Sequence, residues 1–415
     1  MANAANQFTS DEVNLFEMVL EKFDSDNTVA MEAAMFSQPG QAMQRRGDTV
    51  WRPQPMISTT VSGLDISSAI ASVHELVVPA SLDTIENVTW QLDAQSLRDP
   101  SYRERKARSG AQALSAVVNR AIANNVALWG SLTVDVTAAL SGYANVALAD
   151  ALMVENDVLG AEKTMVLNAR DYNNMAGDLA SRTLMSRSER ALSDTELGPI
   201  ASFNTFKTSF TPAVTAQAAA TTVAGANQDY DPVSETGGVF VDNRTQVLNV
   251  TSGTGIVAGD KFTIADVFAV SHINKNNTQQ LKTFTVIEVN TNALTISPPI
   301  IVGPGSTPPT VNDDYANCDS IPANLAALVF LNTTAATSNL FFMNDSIEIF
   351  SGSLAFNEDM AGVAVMRSST DTGLEVIFAK QGDVKTGIAT YRMTIFFGVT
   401  NLNPEMNGIL IGGQV

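Results

Sequence analysis

The sequence has few of the residues that build disulfide frameworks, metal sites and catalytic triads. It contains one cysteine and two histidines in 415 residues, so an intrachain disulfide is excluded and a structural zinc site is not expected. Positive charge is also scarce, with 24 Lys+Arg against 43 Asp+Glu and a formal net charge of −19. A protein that binds nucleic acid by neutralising phosphates needs clustered cations, which argues against this class. No apolar run approaches the length of a membrane-spanning helix, and we expect no membrane partner.

The composition that remains is that of a globular chain with a charge-poor surface. Hydrophobic residues make up 45% and charged residues 16% of the sequence, and the length allows two or three domains with cores of their own. Interface cores are depleted in charged side chains, so a charge-poor surface is easily buried against other copies of the chain.

Motifs that could carry chemistry do not fit their templates. The glycine-rich residues 253–259 have one residue too many for a dinucleotide loop and are predicted to join two strands. Residues 24–27 resemble the start of a calcium loop but lack its later glycine and glutamate. Cys318 is expected to be a small buried side chain, and acidic pairs such as 313–314 arise by chance in an acidic chain. We predict no cofactor, no metal and no enzymatic activity.

Residues 99–130 predict one long helix on which the rest of the chain can be arranged. Asp99 suits the N-cap, Pro100 the first helical position and Gly130 the position after the last turn. A helix of roughly 29 residues is about 43 Å long, which is long for a globular domain.

The first turns of this helix are basic, although cations at a helix N-terminus oppose the macrodipole. The cations considered as intersubunit candidates are Arg103, Arg105 and Arg108. Two interpretations stay open: a solvated charged end, or a cluster that meets acidic groups on a neighbouring subunit.

Residues 9–24 predict an amphipathic helix with one acidic side. Thr9 and Glu12 fit a capping box, and the predicted apolar stripe consists of Val13, Phe16, Leu20 and Phe23. The acidic side chains are Asp11, Glu12, Glu17, Glu21 and Asp24. Such a segment either docks on its own domain or binds a basic partner, and these five acids are the candidates for the second role.

The remaining chain changes character several times. Residues 40–79 read as a long extended hairpin with little core of its own, and its intersubunit candidates are Arg45, Arg46, Trp51 and Arg52. Residues 133–211 are mixed α/β, with helices predicted over 138–159 and 168–181 and a charged loop-helix segment over 186–197. Residues 212–322 read as short strands separated by turns, which predicts an inserted all-β barrel or sandwich. A helix is predicted at 324–330, followed by strands to the C-terminus.

Several short motifs, in this order and spacing, resemble the coat proteins of Salmonella-type short-tailed phages, the podovirus coat protein family. They occur in the hairpin, at the start of the long helix, in the β insert and near the C-terminus. The motifs are Met43-Gln44-Arg45 with Thr49-Val50-Trp51, Leu97-Arg98-Asp99 with Tyr102-Arg103, Asp171-Tyr172, Val241-Asp242-Asn243-Arg244, Gly259-Asp260-Lys261, Tyr315-Ala316-Asn317, Gln381-Gly382-Asp383 and Phe397-Gly398-Val399.

The resemblance implies an α+β, HK97-like capsid fold with an inserted all-β barrel domain (I-domain). The expected parts are a peripheral domain with a long spine helix, an axial domain, an extended loop and an N-terminal arm. The expected division is 1–32 for the arm, 33–46 and 80–130 for the peripheral domain, 47–79 for the extended loop, 131–211 for the axial domain, 212–325 for the barrel, and 326–415 for the return to the axial and peripheral domains.

The resemblance also implies a function: a major capsid protein that assembles into the icosahedral head of a tailed double-stranded DNA phage. Hexamers and pentamers would form a precursor shell around a scaffolding protein in the host cytoplasm. The shell would join a portal protein and expand as it encloses DNA without binding it specifically. In that family a loop of the insert pairs with the neighbouring subunit. The matching stretch here is acidic and contains Asp229, Asp231 and Glu235. Glu288 stands at the position where a basic partner is expected, so Lys275 or Lys282 would have to take the role of that partner.

Two alternative functions fit the sequence less well. A β-rich phage tail or adhesin protein that binds a surface ligand would need aromatic platforms, and residues 212–325 contain only Tyr230 and Tyr315 and no tryptophan. A hydrolase with paired carboxylates ranks third, because no segment satisfies a catalytic template.

Overall fold

The computed structural model describes every residue except 1–7, 9, 37–46, 48, 59, 61–63, 68–69, 71–72, 94–95, 97–98, 137, 159, 161, 182–196, 355–362, 384, 387 and 414–415. The helices are α1 (Ser10–Asp26), α2 (Pro100–Trp129), α3 (Tyr143–Glu155), α4 (Ala169–Ser181) and α5 (Val311–Tyr315). The strands are β1 (Ala34–Phe36), β2 (Thr49–Pro53), β3 (Val77–Ser81), β4 (Thr84–Asp93), β5 (Leu132–Val136), β6 (Lys163–Asn168), β7 (Phe203–Thr208), β8 (Ala213–Val214), β9 (Thr221–Thr222), β10 (Glu235–Thr236), β11 (Val239–Phe240), β12 (Gln246–Asn249), β13 (Lys261–Val270), β14 (Asn277–Asn290), β15 (Ala293–Ser297), β16 (Ala327–Phe330), β17 (Ala336–Thr337), β18 (Asn339–Met343), β19 (Ile347–Ser351), β20 (Val363–Ser369), β21 (Glu375–Asp383), β22 (Ile388–Asn401) and β23 (Asn407–Gly412). None of the helices in this part of the chain is both long and apolar enough to cross a membrane.

The long helix forms where its end signals predict it. Asp99 Oδ1 accepts hydrogen bonds from the N–H and the hydroxyl of Ser101, at 3.0 and 2.8 Å, as an N-cap should. Gly130 ends α2 for a different reason from the one expected, because its φ is not positive. A Cβ there would lie 2.6 Å from the carbonyl oxygen of Val126 and 3.0 Å from the backbone nitrogen of Gly408, so close backbone approach demands glycine.

The chain divides into two units, of which the first contains Met1–Val50, Ala80–Ile122 and Glu348–Thr400. Its six-stranded sheet has the order β1-β19-β22-β21-β20, with β4 also paired to β22. Helix α1 packs on this sheet through Phe16, whose ring stacks 5.7 Å from that of Phe378. Asn119 of α2 holds the chain beyond α1 by accepting hydrogen bonds from the N–H groups of Val29 and Ala30.

The second unit contains Trp51–Pro79, Ala123–Ile347 and Asn401–Val415. One part of it is a five-stranded sheet with the order β5-β23-β18-β6-β7, which shares a buried core with α3 and α4. Helix α3 begins only at Tyr143, later than the predicted start at 138. Gly142 precedes it with φ +78, a left-handed conformation that favours glycine.

The other part of the second unit is a barrel. Its sheet has the order β12-β15-β14-β13-β16-β9, and hydrogen bonds from Ala224 N to Asn249 O and from Thr251 N to Thr222 O close it between its first and last strands. The predicted inserted all-β barrel is therefore present. Cys318 lies buried in its core, as expected, and burial raises the pKa of the thiol to about 12.

One predicted element is wrong, and another lies outside the described residues. Residues 324–330 were predicted to be helical, but Ala327–Phe330 is strand β16, which pairs with β13 and β9 inside the barrel sheet. Its alternating burial shows why: Leu328 and Phe330 enter the barrel core while Ala327 and Val329 face outwards. The predicted loop-helix segment at 186–197 falls almost wholly within the undescribed residues 182–196.

Candidate assembly surfaces

Helix α1 carries an exposed acidic row, as its sequence predicts. Asp11, Glu17 and Glu21 are exposed on one side of the helix and, with Asn14, Met18 and Pro100, line a shallow groove. Glu17 and Glu21 are four residues apart, so their carboxylates lie one above the other, and Asp11 lies about 80° around the helix from Glu21.

Two of the five acidic candidates on α1 are placed differently. The buried side of α1 is rotated from the predicted stripe and consists of Glu12, Leu15, Phe16, Val19 and Phe23. Glu12 is fully buried, where its Oε1 accepts a hydrogen bond from the Tyr391 hydroxyl at 2.6 Å and lies 2.5 Å from Lys380 Nζ. The prediction that Glu12 faces a partner is therefore wrong.

Asp24 is half-buried rather than presented to solvent. Its Oδ2 accepts a hydrogen bond from the N–H of Asp371 at 3.1 Å. Burial, together with the nearby Asp371 charge, raises the pKa of Asp24 above its usual value.

The basic start of α2 is exposed along the helix. Arg105 donates to the carbonyl of Ser101 at 3.2 Å, and Arg108 lies 3.6 Å from Glu104, with both side chains more than 60% exposed. An exposed i,i+4 pair of this kind stabilises a helix by only about 0.3–0.5 kcal/mol, so it does not bind the cations firmly to their own subunit. The side chain of Arg103 lies outside the described part of the chain.

The hairpin predicted over residues 40–79 forms a pair of strands at its base. Strands β2 and β3 pair with each other, and the Trp51 ring lies 5.6 Å from that of Phe240. Trp51 and Arg52 are half-buried, while Arg45 and Arg46 fall in the undescribed residues 37–46. Between the two strands, five large apolar side chains are more than half exposed, and Leu64 is fully exposed. These five are Met56, Leu64, Ile66, Ile70 and Val73.

The acidic stretch of the insert is exposed, but its expected basic partners are not. Asp229, Asp231 and Glu235 all face solvent, and Asp231 accepts a hydrogen bond from Asn312 at 2.6 Å. Lys282 is buried against Glu405, and Lys275 donates to the carbonyl of Asp314 at 2.6 Å. The expectation that Lys282 serves a neighbouring subunit is wrong, because its side chain is buried; Lys275 is half-buried and its role between subunits stays a prediction.

The lysine of the Gly259-Asp260-Lys261 motif fastens the barrel to the end of α2. Lys261 is fully buried, and its Nζ donates to the carbonyls of Ala127 at 2.8 Å and Gly130 at 2.6 Å and to the Thr285 hydroxyl at 2.7 Å. Desolvation lowers the pKa of this lysine to about 7. A cation at this end complements the helix dipole.

The arginine of the Val241-Asp242-Asn243-Arg244 motif makes a second attachment. Its guanidinium lies 4.3 Å from the centre of the Trp129 ring, in the last turn of α2, and donates two bonds to the Asp242 carboxylate. A third bond, of 2.8 Å, reaches the carbonyl of Asn401. The planar guanidinium fits this combination of ring face and carboxylate fork.

A buried charge pair makes the third attachment. Glu405, in the short helical turn before β23, binds Lys282 of β14 through Oε1, and its Oε2 lies 3.2 Å from His272 Nε2. Asn317, of the Tyr315-Ala316-Asn317 motif, donates to the same carboxylate at 3.2 Å. Burial alone would raise the pKa of Glu405, but the His272 and Lys282 charges outweigh it and lower the pKa.

These attachments together are called the barrel junction, defined as Lys261, Arg244, Glu405 and Lys282 with their partners. Three of the motifs that mark the family resemblance lie in this junction, and the sequence pattern alone assigns them no role. A usable signal was present: a lysine opens the apolar strand Lys261-Phe262-Thr263-Ile264, where a solvated cation is out of place.

The features that would support the alternative functions serve the fold instead. Both tyrosines of the barrel region bond within the chain: Tyr230 donates to Asn243 at 3.0 Å and Tyr315 to the carbonyl of His74 at 3.2 Å. Asp313 of the acidic pair accepts bonds from Thr310, Gly305 and Ser306 and braces a turn.

Comparison with known proteins agrees with the resemblance. A family model described as "P22 coat protein - gene protein 5" matches residues 1–413. Among solved structures, the CUS-3 coat protein I-domain is 34% identical, covers 27% of this chain and 95% of its own, and has a TM-score of 0.23. The structure from Mycobacterium phage Che8 is 10% identical, covers 91% of this chain and 94% of its own, and has a TM-score of 0.43. The mature capsid of bacteriophage PhiM1 is 9% identical, covers 92% of this chain and 89% of its own, and has a TM-score of 0.41. The chain belongs to the P22 coat protein family and is a major capsid protein of a tailed phage.

Proposed function

We propose that this coat protein assembles, as hexamers and pentamers, into a precursor shell around a scaffolding protein in the host cytoplasm. The shell joins a portal protein and expands when DNA is packaged, and it encloses the DNA without specific binding, in keeping with the net charge of −19. Expansion is a rigid-body rearrangement between two states of one set of contacts. The role is structural throughout, and no catalytic step is proposed.

The observation that carries this proposal is the exposed apolar segment between β2 and β3. A soluble monomer rarely shows so many large apolar side chains along one stretch of chain. Burying a side chain such as Leu64 or Ile70 is worth about 1.5–3 kcal/mol, and a neighbouring copy can supply the surface that buries it. In this proposal residues 47–79 act as the extended loop, 1–32 as the arm, and 33–46 with 80–130 as the peripheral domain. Residues 131–211 act as the axial domain, and 326–415 return to the axial and peripheral domains.

Co-expression with the phage's scaffolding protein, followed by electron microscopy, tests the proposal. We expect closed shells from the wild-type chain. A variant with Leu64, Ile66 and Ile70 changed to serine should stay folded but give no shells, because it lacks the apolar contacts and loses nothing from the core. Wild-type protein that remains monomeric in the presence of scaffold would overturn the proposal.

The acidic row of α1 is proposed to bind a basic segment of the scaffolding protein. It consists of Asp11, Glu17 and Glu21 and leaves out Glu12. Attraction between exposed charges is screened by salt, because the Debye length shortens as the ionic strength rises. Binding should therefore weaken when the salt concentration is raised from 0.05 to 0.5 M. Reversal of all three charges to lysine should abolish scaffold binding at low salt. Glu104→Lys, on exposed α2, is the matched control; equal binding by both variants would contradict the assignment.

The basic start of α2 is proposed to pair with acids of another copy. Arg105 and Arg108 are exposed, and the acidic stretch with Asp229 and Asp231 is the candidate partner. Arg105→Glu with Arg108→Glu should reduce assembly, and adding Asp229→Lys with Asp231→Lys should restore it. Normal shells from the first variant would remove the proposal, whereas a defect without rescue would direct the search to other acids.

The barrel is proposed to stabilise the subunit and to bridge neighbours through its 229–240 segment. The barrel junction supports the first role, because its bonds reach the end of α2 and the short helical turn before β23. Deletion of residues 229–240 should leave a folded subunit that assembles poorly. Normal shells from this deletion would count against the bridging role.

A further inference from the structure

Helix α3 is apolar on the side that faces solvent as well as on the side that it buries. Val146, Ala149 and Met153 are buried in the core of the second unit. At about 100° per residue, seven other positions fall within an arc of about 140° on the opposite side. They are Tyr143, Ala144, Ala147, Leu148, Ala151, Val154 and Glu155, and they are called the α3 arc.

The α3 arc is open to solvent in the subunit and nearly free of charge. Tyr143 is 57% exposed, Leu148 52% and Val154 45%. Only Glu155, at the end of the helix, is charged. A helix at the surface of a globular protein normally carries polar and charged residues on its outer side, and a helix that is apolar all round is normally covered all round.

The polar side chains in the body of α3 are engaged within the subunit and lie off the arc. Asp150 accepts hydrogen bonds from Lys163 at 2.9 Å and from Ser202 at 2.8 Å. Asn145 donates to the carbonyl of Ser141 at 3.2 Å. The sequence therefore keeps polar groups away from the arc, in the pattern of an interface core.

We propose that the α3 arc is a contact surface for a second copy of this chain. The inference rests on the proposed assembly into shells, in which every subunit has neighbouring copies. An uncharged arc offers nothing to the basic segment that is proposed for the scaffolding protein. Its three alanines, at 144, 147 and 151, let the backbone of a neighbour approach closely.

The size of the α3 arc fits a contact within a ring and not a free dimer. A helix of 13 residues is about 20 Å long and about 10 Å wide, which gives a footprint of roughly 200 Å². A stable pair of proteins buries about 800 Å² on each partner. The arc therefore holds copies together only where other contacts act at the same time, and the subunit at low concentration should remain monomeric.

A charge placed in the middle of the α3 arc tests this inference. Leu148→Lys should leave the far-ultraviolet spectrum and the urea midpoint of the subunit unchanged, because the side chain is exposed, and should lower the yield of shells at least ten-fold. Leu148→Met should assemble normally. Leu325→Lys is the matched control, since Leu325 is 63% exposed on the barrel. Shell yields from Leu148→Lys equal to those of the wild type would overturn the inference.

Thiol labelling gives a second measurement that does not depend on assembly failing. Leu148→Cys should react with a maleimide at least ten times faster in free subunits than in shells, while the buried Cys318 stays unreacted. Equal rates, or protection that disappears once scaffolding protein is extracted from the shells, would overturn the inference. A wild-type chain that forms no shells would instead refute the proposed function, so the two failures are distinguishable.

Discussion

Replacement of Lys261 by methionine is the most direct test of the barrel junction. Methionine has a similar length and no charge, so the change removes the hydrogen bonds of the Lys261 amino group without opening a large cavity. The carbonyl of Gly130 keeps its bond from the Thr285 hydroxyl at 3.0 Å, but the carbonyl of Ala127 loses its lysine donor. A buried acceptor left without a partner costs about 1–3 kcal/mol. We expect Lys261→Met to lower the free energy of unfolding by about 2–3 kcal/mol at pH 9.

The pH dependence makes the prediction more specific. The pKa of Lys261 is about 7 in the folded chain and 10.5 in the reference state, so between these values the unfolded chain holds a proton that the folded chain has released. Stability of the wild type should therefore rise with pH in this window, by up to about 1.4 kcal/mol per pH unit. The variant lacks this contribution. The difference between the two should grow by about 2 kcal/mol from pH 7 to pH 9.

Urea denaturation followed by tryptophan fluorescence at pH 7, 8 and 9 measures both effects. Lys275, whose pKa burial lowers to about 8, titrates in both proteins and cancels in the difference. Lys207→Met, at an exposed lysine, is the control and should run parallel to the wild type. The assignment of Lys261 as a buried anchor would be refuted if the free energies of unfolding of the wild type and Lys261→Met changed with pH in parallel, or if the two were equally stable at pH 9.

Three further predictions concern buried groups. Glu405→Gln leaves Lys282 buried without its counter-charge and should lower the free energy of unfolding by about 3–5 kcal/mol at pH 7 in the same urea assay. Because the pKa of Glu405 is lowered in the folded chain, the wild type should lose this extra stability as the pH falls below about 4.5. Glu12→Gln should destabilise the subunit by about 2–4 kcal/mol, whereas Glu17→Gln on the exposed side should stay within about 0.5 kcal/mol, and equal losses would contradict the burial of Glu12. Cys318 should not react with a thiol reagent at pH 8 until the chain is unfolded in urea, since burial raises its pKa to about 12, and rapid reaction of the folded protein would contradict this.

The comparison of α1 with its sequence shows how small errors in a helical pattern matter. The existence of the helix, its acidic character and the burial of Phe16 and Phe23 follow from the sequence alone. The stripe predicted through Val13 and Leu20 is shifted by one position, and that shift moves Glu12 from the exposed side to the core. No local signal distinguishes a buried glutamate from an exposed one, because its partner, the Tyr391 hydroxyl, is 379 residues away.

Elements whose signals are local can be read from the amino-acid sequence. The caps and period of α2, the alternation of the barrel strands and the motifs of the coat protein family are all readable in the chain, because a helix or strand is selected by neighbours within a few residues. The tertiary structure decided which polar groups are buried together, as in the Lys282–Glu405 pair, and which short apolar stretch becomes a strand, as at Ala327–Phe330. These outcomes depend on partners distant in sequence, and the free energy of burying a charge or pairing a strand exists only once those partners are in place.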